Sequence, residues 1–273
     1  MRTKTLLLAA ATVVAGLVSS QADTVYSQNV VGYINVPVAA GKMVFLGNQL
    51  VNGTDAGKIN NNIQAVLATG LVSDPNGANN SVLYYWNGAG YNIYKYYTDA
   101  DAQNDLGTAP GTGTGWYAGN GAFANVSLYQ GTNGGSFLKN RSAAAITVTL
   151  VGTVLQGTNT YGIKPGFNTY TLPEPVSTNL NSALVNFPGT SDPNAVINDV
   201  YYHYNGVNYD ILYYYTDADA LDSFGVSSGN GWYTALGAFG SANPALWPKV
   251  GEGFFINHRA ATTVTWTNVF NVQ

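Results

Sequence analysis

Few residues in this 273-residue chain are suited to catalysis or metal binding. The sequence has two histidines, His203 and His258, and no cysteine, which excludes disulfides, thiolate metal sites and cysteine nucleophiles. Neither histidine belongs to a His-x-x-x-His zinc spacing or accompanies a Gly-x-Ser-x-Gly nucleophile motif. We therefore predict no catalytic residue, no metal site and no cofactor. A Ser-His-Asp triad assembled by the fold stays open, because triads are recognised by geometry.

Two YTDADA segments contain the aspartate pairs Asp99 and Asp101, and Asp217 and Asp219. Such pairs could offer oxygen ligands to extracellular calcium, which takes about six to eight. The Asp-x-Asn/Asp-Gly run and the distal glutamate of an EF-type loop are missing. We favour the interpretation that the threonine before each pair caps a short helical turn, with the acids at its positive end. Calcium binding by these pairs stays open.

The acids give little support to sugar hydrolysis, since only Glu174 and Glu252 are glutamates. Hydrolysis needs two carboxyl groups that face each other across about 5 to 10 Å of a cleft. A secreted hydrolase is therefore a weaker hypothesis, which requires two acids or a histidine to converge in a cleft. The glycine-rich segment 107–116 lacks the Lys-Ser/Thr ending of a phosphate loop and indicates flexible turns.

Aromatic residues are the strongest candidates for a functional surface. We predict ligand binding by Trp86, Tyr91, Tyr204 and Tyr209, which lie in two tyrosine-rich segments. Alternate residues of a strand point to opposite faces, so runs this dense must expose some rings. Exposed tyrosine and tryptophan can stack on sugars or pack against another protein. Cross-strand pairing that only stabilises a hairpin, at about 0.2 to 1 kcal/mol per pair, explains the pattern equally well.

These aromatic segments belong to an internal repeat. Residues 82–107 read VLYYWNGAGYNIYKYYTDADAQNDLG, and residues 200–225 read VYYHYNGVNYDILYYYTDADALDSFG. The similarity continues through a GWY motif to residues 133–141 and 251–259. We predict one β-repeat unit at 23–157 and a second at 158–273. The connecting VGTVLQGTN is too short for a free linker, so we expect the repeats to pack together.

The elements that must position these residues are short strands. An Asn-Gly pair lies between β-branched and aromatic runs in each repeat, which is the strongest short-range signal of a β-hairpin. Short strands separated by turns predict an all-β fold of two tandem homologous β-sandwich or barrel-like units. At most short helices are expected, at residues 58–67 and 179–185.

The N-terminus predicts export. Arg2 and Lys4 precede an apolar run at 6–18, and Ser20 and Ala22 suit a signal peptidase, so we predict a signal peptide at 1–22. The apolar run is shorter than the ~20 residues that cross a bilayer. Cleavage removes two positive charges from a chain of net charge −4, and no block of Lys or Arg follows. We therefore expect a secreted or cell-surface protein that has no membrane span after cleavage and binds no nucleic acid.

Several motifs support a resemblance to other proteins. They are GYINV, AGKMVFLGNQL, YYWNGAGYNIY, GWY, VGTVLQG and GEGFFINHRAATTVTW. In this order the chain resembles secreted two-repeat β-proteins of Verrucomicrobia and related bacteria. The resemblance covers nearly the whole mature chain and implies export and a β-fold, but no active site. The first repeat has Gly134, Gly135 and Ser136 where residues 252–254 of the second read EGF, so we expect looser packing at this point of the first repeat.

Together these observations predict an exported, non-enzymatic structural or interaction protein of the cell surface or extracellular matrix, with further copies of itself as partner. The alternative is a secreted carbohydrate-binding module that uses the exposed aromatic residues to bind extracellular glycans. A planar row of exposed rings would favour the module, whereas an apolar patch or an open strand edge would favour assembly. An outer-membrane barrel is disfavoured, because most runs break at Gly or Asn.

Overall fold

The computed structural model describes residues 30–271, except residues 53, 56–57, 60, 68, 129–133, 177–178, 185 and 241–242. Residues 31–273 form one compact unit, which contains the described parts of both sequence repeats. The predicted signal peptide at 1–22 lies outside the described residues, so export stays a prediction. The repeat boundary predicted between residues 157 and 158 falls within the strand Gly157–Ile163, after its first residue.

The described residues form strands and short helices in a similar order in both repeats, except that a pair of very short strands occurs only in the first and a 3-10 turn only in the second. The first repeat contains β1 (Val30–Val38), β2 (Met43–Gly47), β3 (Thr54–Asp55), β4 (Lys58–Ile59), α1 (Ile63–Val66), β5 (Val82–Trp86), β6 (Tyr91–Tyr97), α2 (Asp99–Leu106), β7 (Gly115–Ala118), β8 (Gly135–Lys139) and β9 (Ile146–Val154). The second repeat contains β10 (Gly157–Ile163), β11 (Gly166–Thr171), α3 (Leu180–Ala183), β12 (Val200–Tyr204), β13 (Tyr209–Tyr215), α4 (Asp217–Phe224), β14 (Gly231–Tyr233), a 3-10 turn (Pro244–Leu246), β15 (Gly253–His258) and β16 (Val264–Phe270).

Each repeat contains one five-stranded antiparallel sheet and one long two-stranded ribbon, and the first repeat also has the short antiparallel pair β3-β4. The sheet orders are β2-β8-β5-β6-β7 and β11-β15-β12-β13-β14, and the ribbons are β1-β9 and β10-β16. The two sheets therefore have the same topology, and the described strands of neither sheet close into a barrel. The all-β prediction of two similar units with short helices is confirmed.

The predicted hairpins form at the Asn-Gly pairs. In the first, Trp86 of β5 is paired with Tyr91 of β6, and Gly88 has a φ of 99°. The Asn87 side-chain oxygen accepts hydrogen bonds from the backbone N–H groups of Ala89 (3.0 Å) and Gly90 (2.9 Å). Asparagine here stabilises the turn by such local bonds, while glycine supplies the left-handed backbone conformation.

The helix predictions are confirmed in part. In the 58–67 segment the helix begins only at Ile63, because Asn62 caps it by accepting a hydrogen bond from Gln64 N–H at 2.9 Å. Lys58–Ile59 is instead a short strand, so the first part of that prediction is wrong. The 179–185 prediction matches α3, which Asn179 caps.

The core of the second repeat lies between the β10-β16 ribbon and one face of its sheet. The buried side chains there include Tyr161, Ile163, Tyr170, Leu212, Trp232, Phe254, Ile256 and Trp266. A fully buried large apolar side chain contributes about 1.5 to 3 kcal/mol to stability. In a chain without cysteine, these side chains and the strand hydrogen bonds maintain the fold.

The two repeats meet through backbone contacts at glycines. The N–H of Gly47 donates to the carbonyl of Gly251 at 2.7 Å. A Cβ on Gly253 would lie 2.9 Å from the Cα of Gly135, and a Cβ on Gly135 would lie 2.9 Å from the ring of Phe45. The looser packing expected at Gly135 is therefore not observed, because this glycine lies where the two sheets touch.

Candidate functional site

The four predicted ligand-binding residues meet where the two sheets face each other. Trp86 and Tyr204 pack into an aromatic cluster that both repeats build. The aromatic cluster consists of Met43, Phe45, Tyr84, Trp86, Phe137, Phe167, Tyr202, Tyr204 and Phe255. Tyr91 and Tyr209 border it, since their rings lie 6.1 Å from those of Phe137 and Phe255.

The contacts of the aromatic cluster are reciprocal between the repeats. Trp86 of the first repeat packs edge to face on Phe167 (5.7 Å) and Phe255 (6.2 Å) of the second. Its indole N–H donates to the carbonyl of Phe167 at 3.0 Å. Tyr204 of the second repeat packs edge to face on Phe137 of the first at 5.1 Å. Trp86 and Tyr204 thus join the repeats, which leaves each ring only partly exposed.

Tyr91 and Tyr209 remain accessible at the edge of the cluster, with exposed fractions of 42% and 40%. Burial raises the pKa of Tyr209, and so do the neighbouring hydroxyls of Tyr91 and Tyr204. Tyr91 and Tyr209, the first residues of β6 and β13, therefore lie near each other although they belong to different repeats.

Two isoleucines extend this accessible surface. Ile93 lies opposite Tyr84 in the β5-β6 pair, and Ile211 lies opposite Tyr202 in the β12-β13 pair. Directly paired residues share a face of the sheet, so both isoleucines lie on the face that carries the aromatic cluster. Their exposed fractions are 52% and 42%. We call the surface formed by Tyr91, Ile93, Tyr209 and Ile211 the hairpin face.

The YTDADA segments begin helices, as predicted. The Thr98 hydroxyl accepts a hydrogen bond from Asp101 N–H at 3.2 Å, and Thr216 and Asp219 make the same contact at 3.2 Å. Asp99 accepts from Gly113 N–H at 2.7 Å and from Gly111 N–H at 3.0 Å. These two bonds, with one from Gln103, lower the pKa of Asp99 despite some desolvation.

The second aspartate pair makes matching contacts. Asp217 accepts hydrogen bonds from Gly229 N–H at 3.1 Å and from the Ser227 hydroxyl. The aspartates therefore connect each helix start to the loop that follows the helix. Within the described residues, no group of three or more histidine and acidic side chains is arranged to hold a metal ion.

His258 lies in the interior of the protein. Its Nδ1 is 2.7 Å from a carboxylate oxygen of Asp199, and both side chains are fully buried. Asp199 also accepts hydrogen bonds from the N–H groups of Arg259 (2.7 Å) and Thr190 (3.0 Å). The pair fixes the end of β15 against the residue that precedes β12, where no substrate has access.

His203 lines a cleft that the sequence did not predict. Its Nε2 is 3.3 Å from Glu252, and its Nδ1 is 3.7 Å from Asp210. The adjoining cleft has a volume of about 540 Å³. Its lining includes Asn35, Pro37, Met43, Tyr204, Lys249 and Glu252.

Glu252 carries the carboxylate of this cleft. Burial raises its pKa, but hydrogen bonds from His203 and the Lys249 N–H, with the charge of the Lys249 ammonium, lower the pKa by more. The ammonium lies 3.5 Å from the carboxylate. The signal available in the sequence was divergence between the repeats, because the positions that match His203, Asp210 and Glu252 are Tyr85, Asn92 and Gly134.

Comparison with protein-family models, with curated proteins and with solved structures finds no match to this chain. The resemblance to secreted Verrucomicrobia proteins therefore stays a prediction. Within the described part of the chain, no helix has the length and apolar character to cross a membrane. The hairpin face and the cleft are therefore the two candidate functional sites of the described residues.

Proposed function

We propose that the chain is an exported, non-enzymatic interaction protein of the cell surface or extracellular matrix, which associates with further copies of itself through the hairpin face. The observation that supports this proposal is the exposure of Tyr91, Ile93, Tyr209 and Ile211 on the face that carries the aromatic cluster. Large apolar residues grouped at a surface are characteristic of interaction sites.

A second copy of the chain is the partner that suits this surface. The hairpin face continues the aromatic interface between the repeats, where surfaces of the same composition already pack on each other. Both hairpins expose the same residue pair, a tyrosine and an isoleucine two positions later. Either hairpin of one copy can therefore pack against either hairpin of another, and such a contact extends an assembly beyond a dimer when it does not close on itself.

The carbohydrate-binding module is less well supported at the aromatic hairpins. Stacking on a sugar needs exposed, flat ring faces. The Tyr91 ring instead lies edge to face with Trp86 at 5.1 Å, and the Tyr209 ring is tilted against Tyr204 at 5.6 Å. These rings mainly contact each other, so Tyr91 and Tyr209 do not present the flat ring faces that a sugar needs.

The proposal is tested by light scattering coupled to size-exclusion chromatography on the chain lacking residues 1–22. We expect assemblies of several copies, and we expect the double variant Ile93→Lys/Ile211→Lys to be monomeric because charges would be buried at the contact. The control is Val226→Lys, which adds the same charge at an exposed valine outside the hairpin face. A monomeric wild-type protein, or a double variant that assembles normally, would contradict the proposal.

A further inference from the structure

The repeats diverge in their chemistry around His203. The first repeat has Tyr85, Asn92 and Gly134 where the second has His203, Asp210 and Glu252, and the structure brings the latter three together. The other buried histidine, His258, is enclosed in the core, whereas Glu252 and Asp210 are partly exposed. A histidine and two acids that only the second repeat has at these positions, close to a cleft, are suited to binding a ligand.

Both repeats build the cleft. The first repeat contributes Asn35 and Pro37 from β1 and Met43 from β2, and the second contributes Tyr204, Lys249 and Glu252. Its volume of about 540 Å³ lies within the range of small-molecule sites, roughly 300 to 1,000 Å³. The cleft exists only in the folded chain, because residues more than 200 positions apart line it.

The cleft offers hydrogen-bonding groups beside apolar groups. Glu252 presents an accepting carboxylate with a lowered pKa, and Lys249 presents an exposed ammonium. His203 is 3% exposed, and its Nδ1 makes no hydrogen bond because Asp210 is too distant at 3.7 Å. Met43 and Tyr204 supply partly buried apolar surface.

We propose that this cleft binds a neutral or amine-bearing saccharide. Vicinal hydroxyls of a sugar donate to the Glu252 carboxylate and accept from Lys249, while the C–H face of the ring packs against Tyr204 and Met43. Asp210 does not line the cleft, but its carboxylate lies 3.7 Å from Nδ1 of His203, which does. The carboxylates of Glu252 and Asp210 therefore outnumber the single ammonium of Lys249 in this region, which disfavours anionic sugars. The site adjoins the hairpin face at Tyr204, but its lining includes none of the four residues of that face, and it does not depend on self-assembly.

The proposal is tested with the chain lacking residues 1–22 on an oligosaccharide array that has neutral, amine-bearing and anionic members. Calorimetric titration then measures the affinity for the strongest ligand. We expect the neutral or amine-bearing members to bind. Glu252→Gln keeps the shape of the side chain but removes its charge, so we expect the affinity to fall by about tenfold or more. His203→Tyr introduces the residue of the first repeat and should also weaken binding.

Matched variants separate this site from others. Glu174→Gln makes the same change at a buried glutamate outside the cleft lining and should leave the affinity unchanged. The Ile93→Lys/Ile211→Lys variant should also bind normally, and its loss of binding would move the sugar to the hairpin face and overturn the proposal. Absence of binding across the array, preference for anionic members, or unaltered affinity of Glu252→Gln would each overturn it as well.

Discussion

At the scale of single residues, burial raises the pKa of Glu174. This side chain is buried, and one of its oxygens accepts a hydrogen bond from Asn268 at 2.9 Å. The other oxygen has no hydrogen-bond partner among the described residues. Burial therefore raises the pKa of Glu174 to about 7, against an ordinary value of 4.5. The folded chain keeps this residue protonated where the unfolded chain has already ionised.

The free energy of unfolding should consequently fall as the pH rises through this range. The contribution of Glu174 is fully present below pH 4.5 and is lost as the pH passes about 7. We expect a loss of about 2 to 3 kcal/mol. Urea unfolding of wild type and Glu174→Gln at pH 5 and pH 8 measures it, because glutamine keeps the Asn268 bond but does not titrate. Equal pH dependence in both proteins would contradict the assignment.

At the scale of elements, glycines determine how closely the two sheets approach. A Cβ on Gly253 would lie 2.9 Å from the Cα of Gly135 and 3.0 Å from the carbonyl oxygen of Leu46. Both neighbours are backbone atoms of other strands, so relief requires the sheets to move apart. Overpacking of this kind typically costs about 1 to 3 kcal/mol.

We therefore expect Gly253→Ala to lower the free energy of unfolding by about 1 to 3 kcal/mol. Chemical denaturation measures the change. Gly119→Ala is the control, since a Cβ there meets no atom within 4 Å and the backbone is not left-handed. If both substitutions have the same small effect, Gly253 is not required for the sheet contact.

At the scale of the whole molecule, buried hydrogen bonds connect the two repeats. The Gln49 side chain of the first repeat is fully buried, donates to the carbonyl of Glu174 at 2.7 Å and accepts from Gly251 N–H at 2.7 Å. With the aromatic cluster, these bonds make the stability of each repeat depend on the other. We therefore expect wild type to unfold in one cooperative transition, although its sequence is duplicated.

Gln49→Ala tests this coupling, because it leaves a carbonyl and an N–H group buried without these partners. Each such group costs about 1 to 3 kcal/mol, so we expect a total loss of about 2 to 6 kcal/mol. Calorimetry and denaturant unfolding read by tryptophan fluorescence provide the measurement. Two separate transitions in wild type, or an unchanged stability of Gln49→Ala, would show that the repeats fold independently.

Features that depend on neighbouring residues could be predicted from the sequence. The Asn-Gly hairpins, the threonine caps of α2 and α4 and the repetition of strand order all follow from local backbone preferences and from duplication. These were predictable because a turn or a cap needs particular residue types within a few positions.

Which sheet faces pack together and which distant residues converge could be seen only in the tertiary structure. Strand alternation divides Trp86 and Tyr91 from their neighbours, but it does not reveal that their face packs on the other repeat. His203 and Glu252 approach to 3.3 Å although 49 residues separate them. The physical reason is that strand pairing and sheet packing bring together residues that are far apart in the chain, and no local pattern records these contacts.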